Sequence, residues 1–195
     1  RASGSACGTL FSGCVLLMRI GVLGPIEAEV DGQPLPIGGS QQRRLLGLLV
    51  VHRGHAVSTE QIAEALWNGD APDGASRSVR TYVSRLRTAL PGAAIDRQRA
   101  GYTLQLDGEG VSLDIDEFNG LLDRADREPP DLAISTFDDA LALWRGPPVG
   151  ELADEWWALP DSSRLIEQRR SAEEDRAAAL IVVGEHDRAI AELER

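Results

Sequence analysis

The apolar positions change period along the chain. Ile20–Gly24, Ile26–Val30 and Leu35–Ile37 are short runs rich in β-branched residues, parted by Gly24-Pro25 and by the tight-turn pair Asp31-Gly32. They predict an antiparallel sheet of two or three strands. From Ser40 the spacing becomes helical: Leu45, Leu46, Leu48 and Leu49 follow a Gly38-Gly39-Ser40 loop and cap, and Gly54 ends the run. Ser58-Thr59-Glu60-Gln61 caps a second helix through Ile62, Leu66 and Trp67, broken by Asn68-Gly69-Asp70-Ala71-Pro72. A third helix is predicted from about Ala75 to Leu90. Its apolar residues Val79, Val83, Leu86 and Leu90 come at steps of 4, 3 and 4 and line one narrow stripe. Pro91-Gly92 stops it. Ala94–Arg97 and Tyr102–Leu106 then flank Gln98-Arg99-Ala100-Gly101 as a hairpin, with Tyr102 placed for ladder packing at its base.

Beyond residue 110 the pattern reads as helical throughout. Asp114-Ile115-Asp116 leads into a helix carrying Phe118, Leu121, Leu122 and Ala125, which Glu128-Pro129-Pro130 breaks. Ile134, Phe137, Leu141 and Trp144 mark the next, closed by Gly146-Pro147-Pro148. A third runs from about Asp161 to Val183, with Leu165, Ala172, Ala179 and Val183 inward. Gly184-Glu185-His186-Asp187-Arg188-Ala189-Ile190 is similar to the turn and first helix of a tetratricopeptide unit, whose helix pairs bury their faces by stacking. The expected organisation is a leader over 1–18, an α+β winged helix-turn-helix domain over 19–110, and an all-α, TPR-like domain over 111–195.

Charge sharpens this division. The 195 residues carry a net charge of −11, which taken whole argues against nucleic acid. All 20 basic residues are Arg, so the charge can be followed by Arg alone. Residues 19–110 balance ten Arg against ten acids, whereas 111–195 set nine Arg against twenty-one acids. Within 77–101 there are six Arg and one acid, Asp96. Opposite the apolar stripe of the third helix stand Arg77, Thr81, Ser84, Arg85 and Thr88, with Arg80 and Arg87 on one flank and no acid anywhere on it. A solvated helix normally mixes both signs to gain i,i+4 pairs. Arg and short hydroxyls are the side chains that reach phosphates and base edges in a major groove. A hairpin tipped with Arg97 and Arg99 after such a helix is what a winged helix presents to an adjacent minor groove.

These residues carry a resemblance. Ser78-Val79-Arg80-Thr81-Tyr82-Val83-Ser84-Arg85-Leu86-Arg87-Thr88-Ala89-Leu90, with Arg99-Ala100-Gly101-Tyr102-Thr103-Leu104, resembles the effector domain of OmpR-type winged-helix regulators. Ile20-Gly21-Val22-Leu23-Gly24-Pro25 and Gln42-Arg43-Arg44-Leu45-Leu46-Gly47-Leu48-Leu49 narrow it to the Streptomyces antibiotic regulatory protein (SARP, AfsR-like) family. Ala140-Leu141-Ala142-Leu143-Trp144-Arg145-Gly146-Pro147-Pro148 and Leu152-Ala153-Asp154-Glu155-Trp156-Trp157-Ala158 resemble the bacterial transcriptional activator domain that follows the winged helix there. Trp156 departs from the pattern where proline is expected, which implies a changed local turn. The resemblance implies an activator of secondary-metabolite genes, binding direct repeats in double-stranded promoter DNA, with RNA polymerase as partner and self-association on the repeats; the absence of cysteine after Cys14 points to a reducing, cytoplasmic setting. Position on the helix makes Thr81, Ser84 and Arg85 candidates for base-edge contact and Arg77, Arg80 and Arg87 for phosphate anchoring. Arg97 and Arg99 would meet the backbone or minor groove.

Other chemistry is sparse. His52 and His55 form H-x-x-H without a third suitable ligand nearby, so they read as surface histidines. Asp114 with Asp116, and Asp138 with Asp139, read as capping or solvated carboxylates. No phosphate loop, nucleophile elbow or Cys/His dyad occurs, so no catalytic residue, metal or cofactor is expected. Cys7 and Cys14 are the only cysteines and lie ahead of Met18, the only Met; the periodic pattern begins there, and a natural start at Met18 is expected. The last residues stop within a helical run, as a fragment would, and by the resemblance roughly half of the activator domain lies beyond. No apolar run reaches the ~20 residues of a membrane span. Two other functions stay open: a protein-interaction adaptor whose winged helix docks protein, and a phosphorylation-controlled regulator whose input lies outside this chain.

Overall fold

The computed structural model describes residues 17–91, 93–106, 108 and 110–193. The expected leader up to Leu16 with Cys7 and Cys14, the Gly92 of the predicted stop, and the terminal Glu194-Arg195 lie outside the described residues.

The chain opens with β1 (Met18–Gly21), β2 (Glu27–Val30) and β3 (Gln33–Pro34). The Asp31-Gly32 turn reverses β2 into β3, with both residues at positive φ (50° and 74°). The third strand falls at Gln33–Pro34 instead of Leu35–Ile37. Pro34 and Pro36 have no N–H, so pairing with β2 ends when Leu35 N–H donates to Ala28 O at 2.8 Å. Helices α1 (Ser40–Val51), α2 (Thr59–Trp67) and α3 (Ala75–Ala89) follow. Gly39 takes the cap position of α1, and Gln42 Oε1 accepts its N–H at 3.1 Å. Ser58 and Gln61 form the reciprocal capping box at α2. Glu60, in that first turn, has its carboxyl held below its ordinary value by a backbone N–H and then by the Ser58 hydroxyl. Asn68, in the left-handed region at φ 51°, turns the chain out of α2.

The hairpin pairs β4 (Ala94–Gln98) with β5 (Gly101–Gln105). Tyr102 exchanges both backbone hydrogen bonds with Val57, at 2.8 and 2.9 Å, which stitches the hairpin to the loop before α2. Then β6 (Val111–Leu113) joins β1 in parallel, giving the order β3-β2-β1-β6. The remainder is helical: α4 (Asp114–Ala125), α5 (Pro130–Ala142), a 3-10 turn (Gly150–Leu152), α6 (Leu159–Val182) and α7 (His186–Leu193). So among the described residues from 111 onward the first three form a strand, and the regular elements after them are helical. A parallel partner 93 residues away in the chain leaves no local signal for them.

Two further expectations change. Val183 is 39% exposed. The chain turns at Gly184, and Ala189 of α7 packs with Ala179, Leu180 and Ile134, so the inward stripe of α6 ends at Leu180. Trp144 lies past the end of α5, in a T-shaped contact with Phe118 (ring centroids 5.4 Å) and with the Arg169 guanidinium over its ring.

Asp114 is the larger correction. Asp116 is exposed and pairs with Arg53 at 3.0 Å, but Asp114 is fully buried. Its carboxylate accepts from Val22 N–H (2.8 and 2.9 Å), Leu23 N–H (2.8 Å) and Arg145 Nη2 (2.7 Å). Arg145 also donates to Glu27 Oε1 at 2.6 Å, and its N–H donates to Leu23 O at 2.7 Å. The loop after β1 is thus clamped by residues from 114 to 149. One continuous apolar core runs from Met18 through the helices of both halves to Ala172. At its centre Gly47 of α1 faces Trp157 and Leu152, where any side chain would collide with Ile26.

Candidate nucleic-acid interface

Helix α3 buries Val79, Val83 and Leu86 against α1 and α2, as the stripe predicted. That packing turns Arg77, Arg80, Thr81, Ser84, Arg85 and Thr88 to solvent; all are exposed. Thr81 Oγ1 donates to Arg77 O and Thr88 Oγ1 to Ser84 O, each at 3.1 Å. With the hydroxyl proton committed to the helix backbone, Thr81 presents an acceptor outward, the complement of an exocyclic amino group on a base edge.

The wing stands beside this face with Arg97 and Arg99 exposed. Gly101 makes the close approach possible. It sits at φ 154°, and a Cβ there would run into the Val57 carbonyl and reach 2.8 Å from Ser58 Cα. Arg87, expected among the phosphate contacts, is exposed at its residue surface but has its guanidinium on the wing: Nε donates to Ile95 O at 2.8 Å and Nη2 donates to the same oxygen.

The ion pairs sort the remaining arginines. In the first half Arg19 pairs with Glu29 and Glu117, Arg43 with Glu151, Arg44 with Glu155 and Arg53 with Asp116. Arg124, Arg145, Arg164, Arg169, Arg170, Arg176 and Arg188 all have carboxylate partners too. Among the described residues, the arginines without one are Arg127 and six on α3 and the wing: Arg77, Arg80, Arg85, Arg87, Arg97 and Arg99. The neutral charge of 19–110 therefore conceals an unbalanced face. Arg43 and Arg44 lie on α1 and Arg53 just past its end; α1 packs against α3 and, at Gly47, against Trp157 and Leu152, so these three arginines meet Glu151, Glu155 and Asp116 of the second half away from the α3 face.

Two known families match successive stretches of the chain. Residues 33–104 match the family described as "Transcriptional regulatory protein, C terminal", and 113–195 match the "Bacterial transcriptional activator domain". The winged helix and the activator domain occur in tandem, in SARP order. The chain thus carries the two domains of the SARP-type transcriptional regulators. Among curated relatives, the transcriptional regulatory protein EmbR of Mycobacterium tuberculosis is 34% identical over 185 residues, covering 91% of this chain and 48% of EmbR. The regulatory protein AfsR of Streptomyces coelicolor is 34% identical over 180 residues, covering 90% of this chain and 18% of AfsR. The transcriptional regulator RedD of the same species is 28% identical, with 95% and 55% covered. A solved structure of M. tuberculosis EmbR, in complex with a low-affinity phosphopeptide, superposes with a TM-score of 0.80 at 31% identity over 92% of this chain and 49% of that one. The chain thus spans about half the length of EmbR.

The structure gathers the sequence-predicted residues on one side and adds what the sequence reading missed. His52 Nδ1 lies 3.0 Å from Leu48 O and His55 Nδ1 3.3 Å from Arg53 O, so both rings close the end of α1. Asp114 and Arg145 were missed because their partners are backbone groups 91 and 92 residues away for Asp114 and 120 for Arg145. The one available signal was an aspartate directly after the Val-Ser-Leu run, in a stretch whose other acids fall on polar helix faces.

Proposed function

We propose that the α3–wing face binds double-stranded promoter DNA and that the protein activates transcription of secondary-metabolite genes from promoter repeats. The observation that carries this reading is the sorting of arginines: among the described residues every arginine outside this face except Arg127 has a carboxylate partner, while Arg77, Arg80, Arg85, Arg97 and Arg99 are left for an external anion. In this reading α3 lies in the major groove. Thr81, Ser84 and Arg85 contact base edges, Arg77 and Arg80 take phosphates on either side, and Arg97 and Arg99 reach the backbone or the adjacent minor groove. The helical half sits behind α1, on the side away from the duplex, where it is free to engage RNA polymerase and to meet a second copy on the next repeat. The activator-domain match supports that division of labour.

Salt dependence tests it. Four arginines (Arg77, Arg80, Arg97 and Arg99) each neutralising one phosphate give a slope of log K against log salt of about −3.6, since each contact contributes roughly −0.9. Arg85→Ala with Arg97→Ala should flatten that slope by about 1, through Arg97, and weaken binding at every salt concentration. The assay is a fluorescence-anisotropy titration of a promoter duplex carrying direct repeats. Unchanged affinity and slope in the double variant would overturn the DNA reading and leave this face as a protein-docking surface.

A further inference from the structure

Arg87 differs from the other arginines of the face in having its guanidinium occupied. The acceptor explains why. Tyr102 gives both backbone groups to Val57, so by antiparallel alternation Leu104, two residues on, also turns its groups away from β4. Ile95 is paired opposite Leu104, and its carbonyl therefore faces the outer edge of the hairpin with no ladder partner. Arg87, in the last turn of α3, supplies that partner through two N–H groups. The bond connects the end of the recognition helix to the start of the wing. Arg99 lies four residues beyond Ile95, ~13 Å of extended strand. A swing of about 10° at that point displaces the wing tip by ~2 Å, more than a phosphate hydrogen bond tolerates.

We infer that Arg87 is a positioning residue: it locks the wing to the recognition helix and so sets where Arg97 and Arg99 meet the duplex, and it does not anchor a phosphate itself. This rests on the DNA-binding reading of the face and assigns one of its arginines a different task.

Two substitutions separate donor from charge. Gln carries Nε2 the same number of bonds from the backbone as the Arg Nε, so Arg87→Gln keeps a donor at the Ile95 carbonyl without the charge. Arg87→Met fills similar space and keeps neither. The first measurement needs no DNA: hydrogen–deuterium exchange of the full chain. Hairpin amides of 94–105 should stay protected in Arg87→Gln and exchange faster in Arg87→Met, with α1 amides unchanged in both. The second is anisotropy with a labelled 40-bp duplex of mixed sequence. Arg87→Gln should bind within about threefold of the parent, and Arg87→Met should lose as much as Arg97→Ala with Arg99→Ala. Adding Arg87→Met to that pair should cost nothing more, because coupled residues are not additive. Equal behaviour of Gln and Met in the exchange measurement overturns the clamp. A full extra loss on the wing-deficient background overturns it as well and makes Arg87 a phosphate anchor. A parent chain that ignores the duplex removes the DNA reading, and the exchange result then decides the clamp by itself.

Discussion

Replacing Asp114 should loosen both halves of the molecule together. Every group facing its carboxylate is a donor: the N–H of Val22, the N–H of Leu23 and the Arg145 guanidinium. In Asp114→Ala the two N–H groups are left without their acceptor at residues that are themselves fully buried. Each orphaned buried donor costs about 1–3 kcal/mol. Arg145 is less exposed to loss, because Glu27 at 2.6 Å and Pro25 O at 3.2 Å still hold it. The sum is about 2–6 kcal/mol, which brackets the roughly 3–5 kcal/mol for removing one partner of a buried ion pair. Asp114→Asn retains one oxygen for the donors but sets an amide NH₂ against an N–H, and should cost about 1–3 kcal/mol. Urea unfolding followed by indole emission and by far-UV ellipticity is the assay. With an m-value of ~2 kcal/mol per molar, the midpoint for Asp114→Ala falls by about 2 M. Because one apolar core spans both halves, the two signals should shift together at unchanged m. An Ala variant costing less than about 1 kcal/mol would refute the clamp as reasoned from these contacts. So would a winged-helix transition that separates from an unshifted helical one.

Two smaller perturbations follow from local geometry. Ser58→Ala removes the acceptor for Gln61 N–H at the start of α2 and should cost about 0.5–2 kcal/mol by thermal or urea unfolding. Gly101→Ala forces a Cβ onto the Val57 carbonyl at a backbone conformation that L-residues rarely adopt, so the bridge between the wing and the pre-α2 loop should open. Exchange of the Val57 and Tyr102 amides should rise, and duplex affinity should drop toward that of a chain lacking the wing arginines. Protected Val57 and Tyr102 amides in that variant would contradict the assigned bridge.

The −11 of the whole chain and the +5 of 77–101 belong to one molecule, and deleting 111–195 is a poor way to study their interplay. That cut would remove β6 from the sheet, Asp114 from the core and Trp157 from its place over Gly47. Neutralising exposed acids on α6, such as Glu173, Glu174 and Asp175, changes the charge and keeps the core.

Most of the local architecture was legible from the residues. Spacing alone placed α1, α2 and α3, because an amphipathic helix must repeat its apolar positions near 3.6 residues and close with capping chemistry such as Ser58 and Gln61. The absence of acid on α3 singled out its outer face before any coordinate. Charge and period are properties of neighbours in the chain, so the chain displays them. Pairing across 93 residues is not such a property. The parallel addition of β6 to β1, the burial of Asp114, the sorting of arginines into paired and unpaired, and the engagement of Arg87 with the Ile95 carbonyl all depend on which distant groups come within hydrogen-bonding reach. Only the packed tertiary structure decides that, because a donor's role is fixed by the acceptor that folding brings to it.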